Sequence, residues 1–436
     1  MLTSQMQPWT LVRKVSFRFI FAFFVLNMLP VPLVMFSAFK EMIVAYNDLW
    51  TPIVNWVGGN VLQIETEIIN NENGSGDHLF DYVKQFTFLL ISFVVMVVWS
   101  VLDRHRSSYY KLDRWFLMVL SIWAGTIAIG YGWVKVFPLQ FVKPFYTTLL
   151  QTYGQSSPMH LMWTFMGASE TYTMFAGYCE AIAGVLLLIR RTRTLGALML
   201  IGVMLNVFMM NMSYDVPVKI FSFTVMLAGL VIAFHDYRRL LQFFVLDQEA
   251  PRAVEVQLAS SGRANKIVIA VYLLVVGLAV WDQVNVTNKM TEQFFAKTAY
   301  PIEGIYEAVS FERAGVEVPP LITDTERWRY LVVEGFAGRM TAVIKPMDNS
   351  MIPHMAAIDT IQNELSLTNY RDSSSVYKFE YAVSADSLHL VGMMESDTVK
   401  IAFRHFTRED FLLENRGFHW VNEFPYNRYD YSAPIR

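Results

Sequence analysis

Seven strongly apolar segments constrain the fold of this chain more than any other feature of its sequence. They cover residues 19–39, 86–102, 115–137, 171–189, 195–212, 218–234 and 267–281. A helix that crosses a bilayer needs about 20 mostly apolar residues, and these segments approach or reach that length. Pro30 and Pro32 interrupt the first segment, and the seventh is short. We predict a polytopic α-helical membrane protein with seven transmembrane helices.

Lysine and arginine are distributed unevenly between the two sides of this predicted bundle. The connections on the N-terminal side carry 15 of these residues, whereas those on the opposite side, up to Asp282, carry five. Because basic residues are retained in the cytoplasm during insertion, this distribution predicts a cytoplasmic N-terminus. Seven crossings then place the C-terminal part of the chain on the extracytoplasmic side.

The chain changes character near residue 290. Only 17% of the whole chain is charged, against about 25% in a typical soluble domain. Residues 290–436 carry 14 basic and 21 acidic side chains, a net charge of −7, which leaves 21 and 17, or +4, for residues 1–289. Within residues 304–404, apolar side chains alternate with polar ones, as in Tyr377, Phe379 and Tyr381. About seven or eight such runs predict an antiparallel meander that closes into a small β-barrel and resembles lipocalin-like barrels.

These patterns divide the chain into four regions. Residues 1–114 contain two N-terminal transmembrane helices with an outer loop, and residues 115–245 contain a four-helix membrane core. Residues 246–290 form a cytoplasmic linker and the seventh helix, and residues 291–436 form an extracytoplasmic β-rich domain. An amphipathic stretch at residues 235–245 precedes the polar linker.

The inventory of reactive side chains excludes several classes of function. Cys179 is the single cysteine, which rules out an intrachain disulfide and a cysteine-built metal or iron–sulfur site. None of the eight histidines lies in a predicted span, so the usual transmembrane haem ligands are missing. The acidic C-terminal region argues against nucleic acid as a partner. We predict no metal site and no intrinsic cofactor.

Glu180 is the polar residue with the strongest functional implication. It lies halfway along the fourth predicted span between small residues. A carboxyl group at that depth is energetically costly, so it is expected to have a polar partner or a functional role. A functional role and an interhelical hydrogen bond that holds the bundle together are equally supported. The polar residues of the outer half, which could line a pocket above Glu180, are Lys135, Asn206, Asn211, Asp215 and Lys219.

Two of these residues also have simpler explanations. Lys135 is close to the outer end of the third span, where its ammonium group could extend to the lipid headgroups. With a rise of about 1.5 Å per residue, Lys135 is expected roughly 10 Å shallower than Glu180, which argues against a direct ion pair and leaves a bridging group or water chain. Asp215 fits the N-cap of the sixth span, and capping is favoured over ligand binding.

Four stretches within residues 115–245 resemble the DoxX family of bacterial membrane proteins. The matching stretches are residues 131–141, 157–169, 180–192 and 214–219. The resemblance implies a four-helix membrane core, with Lys135, Glu180, Asp215 and Lys219 at the family's polar positions. It also implies a bacterial inner membrane, and named members of the family are linked to thiosulfate oxidation with quinone as acceptor. The first two spans, the seventh span and the β domain extend beyond the family core.

The C-terminal segment 415–428 is dense in aromatic residues, asparagine and arginine, which are enriched where protein surfaces bind partners. The candidate residues of this surface are Arg416, His419, Trp420, Asn422 and Tyr426. A segment that plugs the barrel is an equally supported alternative. For the barrel interior, filling by its own side chains is favoured over a cavity for an apolar ligand.

Two functions of different classes follow from these features. In the first, the protein is an integral membrane subunit of a bacterial envelope complex that binds a quinone or similar lipid in the outer pocket as part of a redox system. In the second, it is a non-catalytic membrane scaffold that displays the β domain to other membrane or periplasmic proteins. Transport is disfavoured because the inner halves of the spans offer almost no polar residues.

Overall fold

The computed structural model describes residues 8–70, 76–250, 261–295, 301–336 and 338–422. The chain divides into two compact units, one formed by Met1–Gln140 and Thr171–Asn288 and the other by Phe141–Glu170 and Lys289–Arg436. The first unit is helical and the second is rich in β-structure. Residues 141–170 connect two helices of the first unit in sequence, but they belong to the second.

Within the described residues, side chains that cap the first turn mark where two of the helices begin. Thr10 accepts a hydrogen bond from the Arg13 amide at the first helix, and Ser157 caps a helix that starts with Pro158. The α-helices, in chain order, are α1 (Leu11–Met28), α2 (Lys40–Asp48), α3 (Thr51–Asn60), α4 (Leu79–Leu102), α5 (Tyr110–Val136), α6 (Tyr146–Leu150), α7 (Pro158–Gly167), α8 (Glu170–Leu188), α9 (Arg193–Ser213), α10 (Lys219–Phe234), α11 (Tyr237–Phe244), α12 (Gly262–Phe294) and α13 (Leu412–Asn415).

Five helices of the described residues, α4, α5, α8, α9 and α12, are long and apolar enough to cross a membrane. The helices α10 and α11 reach that length only together, and they are bent by 76° where they meet. The prediction of a membrane-spanning helical part is confirmed. Five spans, or six with the bent pair, meet the requirements of length and composition, rather than the predicted seven.

The first predicted segment, residues 19–39, is not one continuous helix. α1 ends at Met28, and short 3-10 turns follow up to Phe39. Pro30 and Pro32 have no amide hydrogen to donate and therefore cannot continue the α-helical hydrogen bonding. α1 also carries three basic residues among its 18, which makes it more polar than the five candidate spans.

The helices of the first unit differ strongly in burial. Of the most apolar stretch of α5, 56% is buried, compared with 6% for α12. The main hydrophobic cluster joins α1, α5, α8, α9 and α10, and it includes the fully buried Leu120 of α5. Leu273 and Trp281 of α12, by contrast, are exposed. Apolar surface of this extent is expected where a helix faces lipid.

The second unit contains a closed β-barrel. Its strands are β1 (Gly304–Arg313), β2 (Val316–Glu317), β3 (Trp328–Phe336), β4 (Arg339–Pro346), β5 (Ile352–Asp359), β6 (Glu364–Asn369), β7 (Val376–Val383), β8 (Ser387–Met394) and β9 (Asp397–Phe406). β1 and β3 to β9 are antiparallel neighbours in that order, and β1 pairs with β9 to close a ring of eight strands. β2 forms a short hairpin with β1. The predicted antiparallel barrel is confirmed.

Apolar side chains fill the middle of the barrel. Leu365, Leu367, Phe379 and Leu390 belong to one cluster of inward-facing residues. The alternation of side chains did not predict the two-residue β2 or β5. Within β5, Pro353 lacks an amide donor and much of the strand is exposed.

A second hydrophobic cluster lies on the outer surface of the barrel. It consists of side chains from β1, β3, β4 and β9, namely Ile305, Tyr330, Val332, Val343 and Phe406. Tyr146 and Leu150 of α6 pack against it. These strands therefore bury side chains on both faces, and residues 141–170 supply part of the cover.

Candidate functional site

Lys135 and Glu180 form a buried ion pair between α5 and α8. The Nζ of Lys135 lies 2.7 Å from Oε2 of Glu180, and the two side chains are 7% and 2% exposed. The same ammonium group lies 3.5 Å from the carbonyl oxygen of Tyr131 and 5.6 Å from the centre of its ring. The expectation that depth prevents a direct ion pair was wrong.

The direction of the two side chains, and not only the depth of their backbones, determines whether Lys135 and Glu180 meet. α5 and α8 run antiparallel, with Gly132 of α5 against Gly177 of α8. The side chains of an α-helix incline toward its N-terminus. Lys135 near the end of α5 and Glu180 in the middle of α8 therefore incline toward each other, and their long side chains cover the difference in depth.

Glycines allow the two helices to come this close. A Cβ added at Gly132 would lie 2.5 Å from the carbonyl oxygen of Gly177, and one added at Gly184 would lie 2.5 Å from that of Gly125. Any larger side chain at these positions would push the backbones apart. This packing agrees with the prediction that the small residues around Glu180 admit a neighbouring helix.

The other predicted pocket residues lie along α9 and at its junction with α10. Asn211 is buried, and its amide group donates to Oγ of Ser222 at 3.1 Å. The carboxylate of Asp215 is 86% exposed and lies 2.9 Å from the ammonium of Lys219. Asn206 lies on the exposed surface of α9.

Asp77, which sequence reasoning did not identify, caps α10. Its carboxylate accepts the backbone amides of Lys219 at 2.7 Å and Ile220 at 3.1 Å, and it lies 3.8 Å from the Lys219 ammonium. The predicted capping role of Asp215 was therefore wrong. A cap was sought among the residues next to the helix, whereas the group that caps it is about 140 positions away in the sequence.

Tyr131 lies between the two groups of polar residues. Its ring contacts the ammonium of Lys135 on one side, and its centre is 5.7 Å from the ring of Phe221 on the other. Phe221 precedes Ser222, the partner of Asn211. The predicted pocket residues thus form a pair on α5 and α8 and a second group on α9 and α10, with aromatic rings between them.

Arg18 forms another polar centre at the opposite end of the bundle. Its guanidinium is buried and donates to Oη of Tyr109 at 2.7 Å, Oγ of Ser100 at 2.8 Å and the carbonyl oxygen of Asp103 at 3.1 Å. Tyr109 in turn donates to the Asp103 carboxylate at 2.8 Å. In the sequence, Arg18 is one of the 15 basic residues that indicate orientation, and no local pattern predicts this network.

The predicted partner surface is described up to Asn422, and Tyr426 lies outside the described residues. The indole of Trp420 is 90% exposed. Arg416 donates to Oδ1 of Asn422 at 2.8 Å, and the Asn422 amide donates to the carbonyl oxygen of His419 at 3.2 Å. These residues form a local hydrogen-bonded turn that presents Trp420 to the surroundings.

One end of the barrel contains a cavity of about 130 Å³ whose lining includes Trp328, Tyr377 and His354. The Nδ1 of His354 lies 2.9 Å from the carbonyl oxygen of Ile352, which can only accept, so Nδ1 carries the proton. Burial lowers the pKa of His354. Among the described residues, no group of three histidine, cysteine, aspartate or glutamate side chains could hold a metal ion.

Residues 141–170 contact the barrel through buried polar groups. The hydroxyl of Thr147 donates to Oε1 of Glu334 at 2.5 Å, and the ammonium of Lys345 donates to the carbonyl oxygen of Leu150 at 2.8 Å. Burial raises the pKa of Glu334, which the Thr147 hydrogen bonds oppose, and burial lowers the pKa of Lys345. Glu334 and Lys345 therefore each form a hydrogen bond with a residue of the connection between α5 and α8.

Together, the apolar helices and the closed barrel define a membrane-spanning protein with a β-barrel domain. The chain is similar to "Uncharacterized protein YwoB" of Bacillus subtilis (strain 168), with 36% identity over 84 residues. That match covers 19% of this chain and 54% of the relative, so the chain spans about half the length of this curated relative. No family model and no solved structure matches the chain. The resemblance to the DoxX family stays a prediction.

Proposed function

We propose that this protein is an integral membrane subunit of a bacterial envelope complex and that it holds its β-barrel domain for assembly with envelope partners. The main support is the position of residues 141–170, which connect α5 to α8 but pack on the barrel. The chain therefore passes between its two units three times, after residues 140, 170 and 288.

The same division of the chain supports a topology. Residues 141–170 and the barrel pack as one unit, so both belong on one side of the membrane. An even number of crossings must then separate residue 170 from residue 289. The helices α8, α9 and α12 supply three, so α10 is the fourth. Retention of basic residues in the cytoplasm places the connections after α4, α8 and α10 there and the barrel outside the bacterial inner membrane. A cytoplasmic N-terminus then requires α1 as a further crossing, which the hydrogen bond of Arg18 in α1 to Ser100 near the end of α4 supports.

A surface near the C-terminus fits a partner. We define the C-terminal patch as Arg416, Phe418, His419, Trp420 and Asn422. Phe418 and Trp420 are 77% and 90% exposed, and their ring centres are 5.0 Å apart. Exposed aromatic side chains beside arginine are typical of residues that contribute strongly to protein–protein binding. This exposure favours the interaction surface over the barrel plug.

Site-specific photocrosslinking in living cells tests this proposal. The photoreactive residue p-benzoylphenylalanine is placed at Trp420 and, as a control, at Ile361, which is 92% exposed in the turn between β5 and β6. We expect a discrete adduct with one envelope protein from position 420 and none from position 361. No adduct at 420, or the same adducts from both positions, would contradict the partner surface.

Quinone binding at the Lys135–Glu180 pair is the second candidate function. A charged pair in an apolar bundle is costly and often marks a ligand or proton site. An ammonium group has three N–H donors, and Lys135 directs two of them at Glu180 and the Tyr131 carbonyl. The third could bind a quinone carbonyl beside the Tyr131 ring. Electrons for any redox system would come from another subunit.

Analysis of copurifying lipids tests this second function. The protein is purified from native membranes in mild detergent, and quinones are extracted and quantified. The variant Lys135→Met/Glu180→Gln removes both charges, and Lys143→Met is the matched control because its side chain is 65% exposed. We expect quinone with the unaltered protein and the control but not with the double variant. Equal quinone in all three, or none in any, would contradict binding at this pair.

A further inference from the structure

The helix α11 is strongly amphipathic and turns away from the end of α10. At 100° per residue, Tyr237, Leu241 and Phe244 share one face, while Arg238 and Arg239 lie on the opposite one. The bend between α10 and α11 is 76°. A helix that leaves a span at this angle runs almost parallel to the membrane surface rather than across it.

The apolar face of α11 is only partly covered by the protein. Leu240 packs against the main hydrophobic cluster of the helical unit, which fixes the helix to the bundle. Leu241 and Phe244 are 44% and 68% exposed, and Phe234 at the end of α10 is 70% exposed. The rings of Phe234 and Tyr237 stack with their centres 5.0 Å apart, so this apolar surface is continuous with the end of α10.

Basic side chains gather at the same end of the bundle. Arg114 in the first turn of α5, Arg190 after α8 and Arg193 at the start of α9 lie close enough for their charges to interact. The Nε of Arg193 is buried and has no hydrogen-bond partner among the described residues. The two carboxylates in this region are already engaged, Asp236 by Thr194 and Arg239 and Asp113 by His235. Positive charge therefore predominates beside α11.

We propose that α11 lies in the membrane surface and that Arg190, Arg193 and Arg238 bind the phosphate groups of anionic phospholipids there. The apolar residues of α11 enter the boundary between headgroups and acyl chains, as amphipathic surface helices do. The arginines lie at headgroup level, where each basic residue favours an anionic lipid. The bend after α10 thus creates a binding site for anionic lipid rather than a loose connection.

Cysteine accessibility tests the placement of α11. In a Cys179→Ala background, the variants Arg238→Cys and Phe244→Cys are compared in full-length protein reconstituted in nanodiscs. Both side chains are exposed on the surface of the protein. A water-soluble maleimide should label position 244 about tenfold more slowly than position 238, because the thiolate that reacts does not form in the hydrocarbon region. Equal rates, or protection of both positions, would overturn the proposal.

Native mass spectrometry tests the lipid preference. Protein is released from nanodiscs that contain equal amounts of phosphatidylglycerol and phosphatidylcholine, and bound lipids are counted. We expect phosphatidylglycerol to be retained preferentially, with a loss of about fivefold in that preference for each of Arg190→Gln and Arg193→Gln. Lys143→Met is the control for a lysine outside this region. Equal retention of both lipids by the unaltered protein would overturn the anionic site.

Discussion

The helical unit and the barrel unit distribute polar and apolar side chains in opposite ways. In the helical unit the charged Lys135 and Glu180 are buried, whereas Leu273 is 61% exposed. In the barrel unit Leu390 is fully buried, whereas the charged side chain of Lys378 is 70% exposed. Each unit places toward its surroundings the side chains that those surroundings solvate.

This difference means that the two units are stabilised by different interactions. Burial of apolar side chains away from water stabilises the barrel. Lipid tails are as apolar as leucine, so the helical unit gains little from apolar burial and depends on close packing and polar contacts between helices. The contacts of Gly132 with Gly177 and of Lys135 with Glu180 supply both.

The largest effect is expected from Glu180→Leu. The substitution leaves the Lys135 ammonium buried without its counter-ion, and breaking a buried pair in this way costs about 3–5 kcal/mol of unfolding free energy. Unfolding of the full-length protein in detergent micelles, followed by circular dichroism in the helical region, measures the loss.

The matched control for this prediction is Lys135→Met/Glu180→Leu, which removes both charges at similar volume. Replacing a complete ion pair by apolar residues is often neutral or stabilising, so the double variant should recover most of the stability. A double variant as unstable as Glu180→Leu alone would show that packing, and not the unpaired charge, causes the loss.

Two identical leucine-to-alanine substitutions sharpen the comparison between the units. Leu390→Ala in the barrel core should cost about 2–5 kcal/mol, because it removes buried methyl groups and leaves a cavity. Leu273→Ala on the exposed face of α12 should change stability by less than about 0.5 kcal/mol. Denaturation of the full-length protein in detergent measures both, and a large loss at Leu273 would mean that α12 is covered by protein instead of lipid.

Structural features that depend on local periodicity could be predicted from the sequence. The strands followed from the alternation of side chains, and the alternating Tyr377, Phe379 and Tyr381 lie in β7 (Val376–Val383). Glu180 was identified because a carboxyl in an apolar span is costly. The capping of α10 by Asp77 was missed because it depends on contacts that no local pattern encodes.

The position of residues 141–170 could be predicted only in part. The consecutive apolar run Leu331, Val332 and Val333 in β3 indicates a strand buried on both faces. That run predicts that something covers the outer face of the barrel. It does not identify the segment, because the cover comes from about 180 residues earlier in the chain.

A smaller effect is expected at the contact between residues 141–170 and the barrel. Thr147→Val removes the hydroxyl that donates to the buried Glu334 carboxylate, which should cost about 1–3 kcal/mol. The exposed Thr398 of β9 provides the control, Thr398→Val, which should be close to neutral. Protease sensitivity of residues 141–170 in the full-length protein reports the loss, and equal sensitivity of both variants would contradict the contact.

The smallest effect is expected from the titration of His354. Burial lowers the pKa of His354, so the unfolded chain takes up a proton near pH 6.5 while the folded ring stays neutral to lower pH. Stability is therefore complete above about pH 6.5 and falls as the pH drops below it. Thermal unfolding at pH 7.5 and pH 5.5 should show this dependence, and His354→Gln should weaken it. An unchanged pH dependence in the variant would exclude His354 as its source.

Crosslinking between residue 147 and residue 334 tests most directly whether the connection between α5 and α8 is part of the barrel unit. Thr147→Cys is combined with Glu334→Cys, or with Lys378→Cys on β7 at the opposite side of the ring, in a Cys179→Ala background. A short bismaleimide is added to membranes, and mass spectrometry identifies the linked peptides. We predict a link between positions 147 and 334 and none between 147 and 378. Equal linking of both pairs, or no link at 334, would contradict the assignment of residues 141–170 to the barrel unit.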